Sequence, residues 1–380
     1  MSSAKSARPR ILHCHSTFSA GGKERRAVKL MNAFGKTLDH TLVSAMPNQM
    51  GARSLVDRAV TVRYPADFSS LTGFPSPGRL IEIAKAMAEY DLILTYNWGA
   101  MDAVMAHSVF ANTLGLPPLV HHEDGFNEDE ASELKTTRNL YRRAALRCAS
   151  ALVVPSATLE RIALTKWKQP QRLVQRIPNG IATQRFAKPP KPGALRVLKR
   201  DGEKWVGTLA GLRPVKQLPA LVDAFAPLGD EWQLVIIGEG SEQQAIRERA
   251  AALEVDHRVH LPGAVNEPAD VIGLFDIFAL SSRSEQFPLS VVEAMAAGLP
   301  VASPAVGDVA SIVASENAPY ITRPGDALAL KRALGELAKD SAARKAIGAA
   351  NKAKTGAEFE EAKMVERYRS LYSDIMGRAF

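Results

Sequence analysis

Short, nearly unbroken apolar runs alternate along this chain with longer stretches in which apolar residues recur every third or fourth position. The runs predict strands at Arg10–His15, Leu42–Ala45, Val60–Arg63, Leu92–Tyr96, Leu119–His122 and Leu152–Pro155. Between them, Ala27, Leu30, Met31 and Phe34 mark one helix, and Ile81–Glu89 and Met101–Leu114 two more. Strand–helix alternation of this kind predicts a parallel sheet covered on both faces. The stretch KPPKPG at 188–193 interrupts it, because its prolines and glycine continue neither helix nor sheet. The alternation then restarts, with strands expected at Trp205–Ala210, Gln233–Ile237, Val259–Leu261, Ile277–Leu280 and Val301–Ser303, and helices at Leu218–Phe225 and Ser241–Leu253. A final polar helix over 357–375 carries a Met364/Tyr368/Leu371/Tyr372 stripe. The expected division is therefore an α/β unit at 1–187, a second at 188–355 and a terminal helical segment at 356–380.

Bulk properties narrow the class. A length of 380 residues exceeds most single cores and fits two domains. The apolar content of 46% is that of an ordinary soluble globular protein. Two cysteines, Cys14 and Cys148, leave no rich disulfide framework and fit a reducing, cytoplasmic compartment. No window approaches the roughly 18 uninterrupted apolar residues of a membrane span. The basic start MSSAKSARPR leads into a short run broken by histidines, which reads as a first strand rather than a signal peptide. A net charge of +8 favours anionic partners: nucleotide phosphates or an anionic membrane surface. Nucleic acid is not expected, for lack of a zinc-finger spacing, an aromatic RNA-binding signature or a long basic tract.

The densest chemistry lies in SEQFPLSVVEAMAAGLP, residues 284–300. Pro288 suits a first helical turn, Ser290 to Ala297 read as helix, Gly298 stops it and Pro300 seals it. The amides near Leu289 and Ser290 lack partners inside the helix, so the helix start is a ready anion site. Glu285 precedes that start and Glu293 lies further along, leaving both carboxylates to accept hydrogen bonds from hydroxyls. Phosphate at the helix start with hydroxyls at the carboxylates describes a nucleotide sugar.

The run Glu285, Phe287, Glu293, Ala294, Met295, Ala296, Gly298, Pro300 and Val301 resembles the donor-site signature of glycosyltransferase family 4. Further pieces follow the family's order: GGKERR at 21–26, VVPSA at 153–157, IPNGI at 177–181, LRPVK at 212–216 and IIGEG at 236–240. The resemblance implies a GT-B fold: two Rossmann-like domains facing across a cleft, with the last helix returning to the first domain. It also implies sugar transfer from a nucleotide-diphosphate sugar with retention of configuration and no metal.

The resemblance places Glu285 close to the donor sugar, Glu293 on the ribose, and Phe287, Leu289 and Ser290 at the donor. Lys216 matches the family's phosphate-binding lysine. The arginine expected five positions earlier is replaced by Gly211, leaving Arg213 to substitute from the same loop. Such cations compensate a departing diphosphate. Gly238, before Glu239 and Gly240, allows approach to the base or serves as a plain turn. The fuller G-x-G-x-x-G fingerprint fails at Gln243, which argues against a nicotinamide dehydrogenase.

In the first half, Gly21 and Gly22 lie between a strand end and a helix start, where glycine permits close approach and positive φ. By resemblance this loop faces the diphosphate and the acceptor. Of Lys23, Arg25 and Arg26, one or more meets an anionic acceptor, while Arg26 reads as a solvated helix face. The HHEDG run at 121–125 occupies the place of a family histidine beside the reacting sugar, with the register open between His121, His122 and Asp124. An imidazole there would hydrogen-bond a hydroxyl, and a carboxylate would take the acceptor's proton.

Arg138, Arg142, Arg143 and Arg147 recur at helical spacing beside Tyr141, and Lys166–Trp167–Lys168 mixes cation and aromatic. They read first as a solvated helix face and second as a peripheral membrane contact. The expected function is glycosyl transfer to a saccharide or glycolipid acceptor in lipopolysaccharide, exopolysaccharide or glycolipid synthesis, at the inner face of the cytoplasmic membrane. The rival readings are a nucleotide-sugar epimerase of GT-B fold and a non-catalytic nucleotide-sugar-binding protein.

Overall fold

A computed structural model describes residues 8–126, 128–130 and 133–380. The chain forms two compact units, one of residues 1–178 together with Met364–Phe380, the other of Asn179–Lys363. The division thus falls earlier than the expected boundary at 187/188. Residues 188–193 belong to the second unit, where the Lys191 amide donates to the Asp270 carbonyl (2.8 Å) and Pro190 packs against Gly273. The terminal segment likewise joins the first unit from Met364 rather than from 356.

The first unit contains seven strands: β1 (Arg10–His15), β2 (Asp39–Ser44), β3 (Val62–Arg63), β4 (Leu92–Tyr96), β5 (Leu119–His122), β6 (Ala151–Val154) and β7 (Val174–Arg176). They pair in the order β3-β2-β1-β4-β5-β6-β7, all parallel. The central strands β4, β5 and β6 are buried at every position, as sheets covered on both faces require. Helix entries follow from local chemistry: Ser76 caps Pro77–Met87 and Ser156 caps Ala157–Thr165 through their hydroxyls. The C-terminal helix Glu361–Met376 sets Met364, Tyr368 and Tyr372 into the core formed by β1, β4, β5 and the helix Gly22–Phe34. The predicted aromatic stripe therefore packs on the first unit, as expected.

The second unit adds β8 (Lys204–Leu209), β9 (Trp232–Ile237), β10 (Val259–Gly263), β11 (Ile277–Ala279), β12 (Val301–Pro304) and β13 (Ile321–Thr322), in the order β10-β9-β8-β11-β12-β13, again all parallel. In each sheet the order reverses beside the first strand, between β1 and β4 and between β8 and β11. Such switch points open a crevice beyond the carboxyl ends of the strands, where ligands gather in open α/β sheets.

One buried polar network holds the segment that follows the helix Leu289–Ala296. Asn317 bonds both the amide and carbonyl of Val301 (2.8 and 2.7 Å), and Asn351 bonds the Leu299 carbonyl (2.9 Å) and Asn317 (2.8 Å). Gly348 lets the helix Ser341–Glu358 lie directly on the Gly298 turn, since a Cβ there would sit 2.0 Å from the Gly298 carbonyl oxygen.

Candidate functional site

At the second switch point, two loops are sewn together. The loop leaving β8 ends in a turn at Pro214–Lys216; the loop leaving β11 runs through Ser281–Glu285 to the helix Leu289–Ala296. The Arg283 amide donates to the Val215 carbonyl (2.8 Å), and the Ser281 hydroxyl donates to the Lys216 carbonyl (2.8 Å). The Lys216 ammonium donates to Glu285 Oε1, and the Ser282 hydroxyl donates to the same oxygen (2.7 Å). The predicted lysine and carboxylate therefore meet, both largely but not fully buried, with side chains 15% and 12% exposed.

The backbone beneath Glu285 is held as well. Gly307 lies at φ +55°, and a Cβ there would fall 2.5 Å from the Glu285 carbonyl oxygen. The Asp308 amide donates to the Gln286 carbonyl (3.1 Å). Pro288 stands at the N-cap of the helix and Leu289 is its first residue, one step later than expected, so the proline's missing N–H falls outside the first turn. No side chain caps that start, and Leu289 and Ser290 are half-buried there. Glu293 lies half-buried further along the helix.

Arg213 is exposed, with Nε 3.6 Å from where a Gly211 side chain would begin. Its guanidinium thus lies over the position that lacks the family's arginine. Gly238 has φ +150°, and a Cβ would lie 1.9 Å from the Ala210 carbonyl oxygen, so its bareness is used by the neighbouring loop. Phe287 is half-buried, its ring edge-on to Phe359 at 5.7 Å. The structure thus gives Phe287 a packing contact inside the second unit.

The first switch point is built from larger side chains. Gly21 caps the helix Gly22–Phe34 with φ −82°, so the positive φ anticipated for this loop is not used. A side chain on Gly22 would meet nothing within 4 Å, which leaves the helix start open. Lys23 pairs with Glu24, whose carboxylate also accepts from the Thr17 hydroxyl (3.1 Å).

Both histidines of HHEDG point inward. Successive strand residues face opposite sides of a sheet, and helices cover both sides here, so His121 and His122 are each fully buried. His122 Nδ1 donates to the Thr95 carbonyl (3.1 Å), which leaves Nε2 to accept from the Tyr372 hydroxyl (2.8 Å). His121 Nδ1 bonds the Thr95 hydroxyl (2.8 Å). Only Asp124, past the strand end, comes toward the surface, with its side chain 13% exposed.

Arg26 is not a solvated residue. It is buried and grips both oxygens of Asp124. Burial opposes its charge, but Asp124 outweighs burial and its pKa rises. Around it, His15 stacks on Tyr96 at 4.0 Å and Tyr96 on His122 at 4.7 Å. His13 bonds Tyr96 (3.1 Å) and His40 (2.9 Å). Burial pushes His13, His15 and His122 well below the usual histidine range, and pushes His40 down to about 4. The sequence reading missed this cluster; its only trace was His13 and His15 in an otherwise apolar strand.

Arg142 and Trp167 are buried too, not part of a solvated face. Arg142 bonds Glu123 (3.0 Å) and Glu130 (3.4 Å), with the Trp98, Phe126 and Trp167 rings around it at 4.9, 5.3 and 5.2 Å. Arg143 and Arg147 are exposed, as is Leu140. Among the described residues, no helix is long and apolar enough to cross a membrane.

The family model for glycosyl transferases group 1 matches residues 196–354, and that for Glycosyltransferase Family 4 matches residues 20–185. The chain is 26% identical to the N-acetyl-alpha-D-glucosaminyl L-malate synthase of Bacillus anthracis, over 46% of this chain and 47% of that protein. It is 27% identical to the lipopolysaccharide core biosynthesis mannosyltransferase LpsB of Rhizobium meliloti, over 52% of this chain and 60% of that protein. The matched stretch thus spans about half of the first relative's length and somewhat more of the second's. The crystal structure of Anabaena Alr3699/HepE in complex with UDP-glucose superposes with a TM-score of 0.79 at 18% identity, covering 97% of this chain and 100% of that one. With matching models over both units, the chain belongs to glycosyltransferase family 4, and its two parallel-sheet units have the GT-B fold.

Proposed function

We propose that this protein is a glycosyltransferase that moves a sugar from a nucleotide-diphosphate sugar to an acceptor hydroxyl. The observation that carries the reading is the meeting of Lys216 and Glu285 on two loops sewn together at the switch point of the second unit. Lys216, Arg213 and the amides of Leu289 and Ser290 hold the diphosphate, Glu285 lies by the sugar and Glu293 by the ribose. Cations fixed before the reaction stabilise the charge that develops on the leaving diphosphate without later reorganisation. The anomeric carbon–oxygen bond breaks, the acceptor oxygen takes its place, and charge compensation comes from Lys216 and Arg213 without a metal. Retention of configuration is part of this proposal and is supported by the family resemblance alone.

On the first unit, Asp124 is the group that accepts the hydrogen bond, and in the transfer the proton, of the acceptor hydroxyl. Its position past the strand end supports this over His121 and His122, which are engaged inside the core. The names of the relatives support an acceptor in lipopolysaccharide or related glycoconjugate synthesis. Exposed Leu140 beside Arg143 and Arg147 supports a peripheral contact with the inner face of an anionic membrane, without Arg142.

Incubation with radiolabelled UDP-glucose, UDP-galactose, UDP-N-acetylglucosamine and GDP-mannose tests the reading. Slow release of free sugar from one donor is expected, because water replaces the missing acceptor. Interconversion of the sugar would favour an epimerase, and tight binding without turnover a binding protein.

A further inference from the structure

Three elements converge on Asp124 and its partner Arg26. From the helix Gly22–Phe34, Arg26 reaches Asp124 with both terminal nitrogens, Nη2 to Oδ2 at 2.8 Å and Nη1 to Oδ1. From the C-terminal helix Glu361–Met376, Tyr368 sets its ring beneath the guanidinium, 5.7 Å from centroid to carbon. From the turn after β4, Asn97 Oδ1 accepts the backbone N–H of Asp124 (2.8 Å), while the Asn97 backbone N–H donates to the His122 carbonyl (2.8 Å).

Asn97 has φ +54°, a conformation that non-glycine residues adopt at an energetic cost and keep only where the surroundings enforce it. In this conformation the Asn97 side chain bonds the Asp124 N–H. A planar guanidinium gripping two oxygens fixes the carboxylate's rotation as well as its charge, which an ammonium cannot do. Asp124 nonetheless keeps an exposed edge, whereas Arg26 is 5% exposed. The carboxylate is thus held through both oxygens and largely buried, with one small edge left to solvent, the condition under which an acceptor hydroxyl is held in one place.

We propose that Arg26 and Asn97 are positioning residues: they set the height and rotation of the Asp124 carboxylate, and thereby govern turnover rather than donor affinity. The proposal rests on the reading of Asp124 as the acceptor-side carboxylate.

The test uses the full chain with the radiolabelled nucleotide sugar that the unaltered protein hydrolyses, together with hydrogen–deuterium exchange of the segment containing Asp124. Arg26→Ala should lower kcat about 100-fold, the scale of a roughly 1 Å misplacement, with KM for the donor unchanged within about twofold. Added methylguanidinium should restore part of that loss. Arg26→Lys keeps the charge and guards against misfolding of the alanine variant; it should remain about tenfold slow, since it lacks the fork. Asn97→Gly relieves the strain but removes the amide, and should speed exchange of the Asp124 N–H about tenfold by freeing it.

In an Asp124→Asn background, removing Arg26 should cost little more, because the two residues act as one unit. Additive losses would overturn the proposal, as would a folded Arg26→Lys enzyme with unaltered kcat, or unchanged exchange at Asp124 in Asn97→Gly. Full turnover by Asp124→Asn alone would instead remove Asp124 from the reaction, a failure of the underlying reading that leaves the donor site standing.

Discussion

The two units share one sheet plan and build their ligand ends in opposite ways. In the second unit the switch point is made of loops bonded through backbone groups and two serine hydroxyls, with the Lys216–Glu285 ion pair at the centre. In the first it is made of large buried side chains: a histidine–tyrosine stack, an arginine–aspartate fork, and an arginine enclosed by aromatic rings. The difference teaches where each end can tolerate change. Loops held by backbone contacts depend on glycines that admit a neighbouring carbonyl. A side-chain cluster depends on every charge keeping its partner.

The largest expected effect breaks the first unit. Arg142→Ala leaves Glu123 buried beside Glu130 without its cation, and truncating one partner of a buried pair costs about 3–5 kcal/mol. Denaturant unfolding should show this loss, and a loss below about 1 kcal/mol would mean that the cluster contributes little. In the second unit, Lys216→Ala should cost less stability, because that pair keeps some exposure and Glu285 keeps its Ser282 hydrogen bond, and should slow turnover by about 100- to 1000-fold, as for loss of one preorganised charge-stabilising donor. Steady-state kinetics beside a melting curve separates the two outcomes.

Acid should also distinguish the units. The unfolded His40 binds a proton near pH 6.5, whereas the folded side chain does so only near pH 4. Its contribution to stability is therefore fully present above pH 6.5 and is lost as pH falls from 6.5 to 4, about 3 kcal/mol in all. His13, His15 and His122 shift in the same direction, so the first unit should lose stability below pH 6.5 before the second. Calorimetric scans at pH 7 and pH 5 would show it as a separating low-temperature transition; transitions that move together would contradict it. The smallest effect expected is in Gly22→Ala, where the added methyl meets nothing within 4 Å. Its stability should stay within about 0.5 kcal/mol of the parent, whereas Gly238→Ala, driven against the Ala210 carbonyl, should unfold far more readily.

Much of this contrast was legible in the sequence, though unevenly. The donor end is written in contiguous signatures, because a loop and the helix after it are consecutive in the chain; Lys216, Glu285 and the 289–296 helix could be named in advance. The proposed acceptor end draws on β1, the turn after β4, the end of β5 and the last helix, and only folding makes them neighbours. Arg26 therefore read as a surface residue, and nothing in its sequence surroundings revealed Asp124 as its partner. The run HHEDG does not fix its own register against the family's histidine, so the choice among His121, His122 and Asp124 stayed open until both imidazoles proved to be buried. The strands Val174–Arg176 and Ile321–Thr322 escaped notice because two or three residues show no period. The helices Ala327–Lys339 and Ser341–Glu358 were not read either, and the second of them packs on the helix Leu289–Ala296.

The central claim is that the Lys216–Glu285 loops grip the diphosphate of a nucleotide-sugar donor. Calorimetric titration of the unaltered protein and of Lys216→Ala with UDP and GDP tests it most directly. One nucleotide should bind the unaltered protein, and the variant should bind it at least about tenfold more weakly, a loss of about 1.4 kcal/mol. Equal affinity in both proteins would contradict the claim.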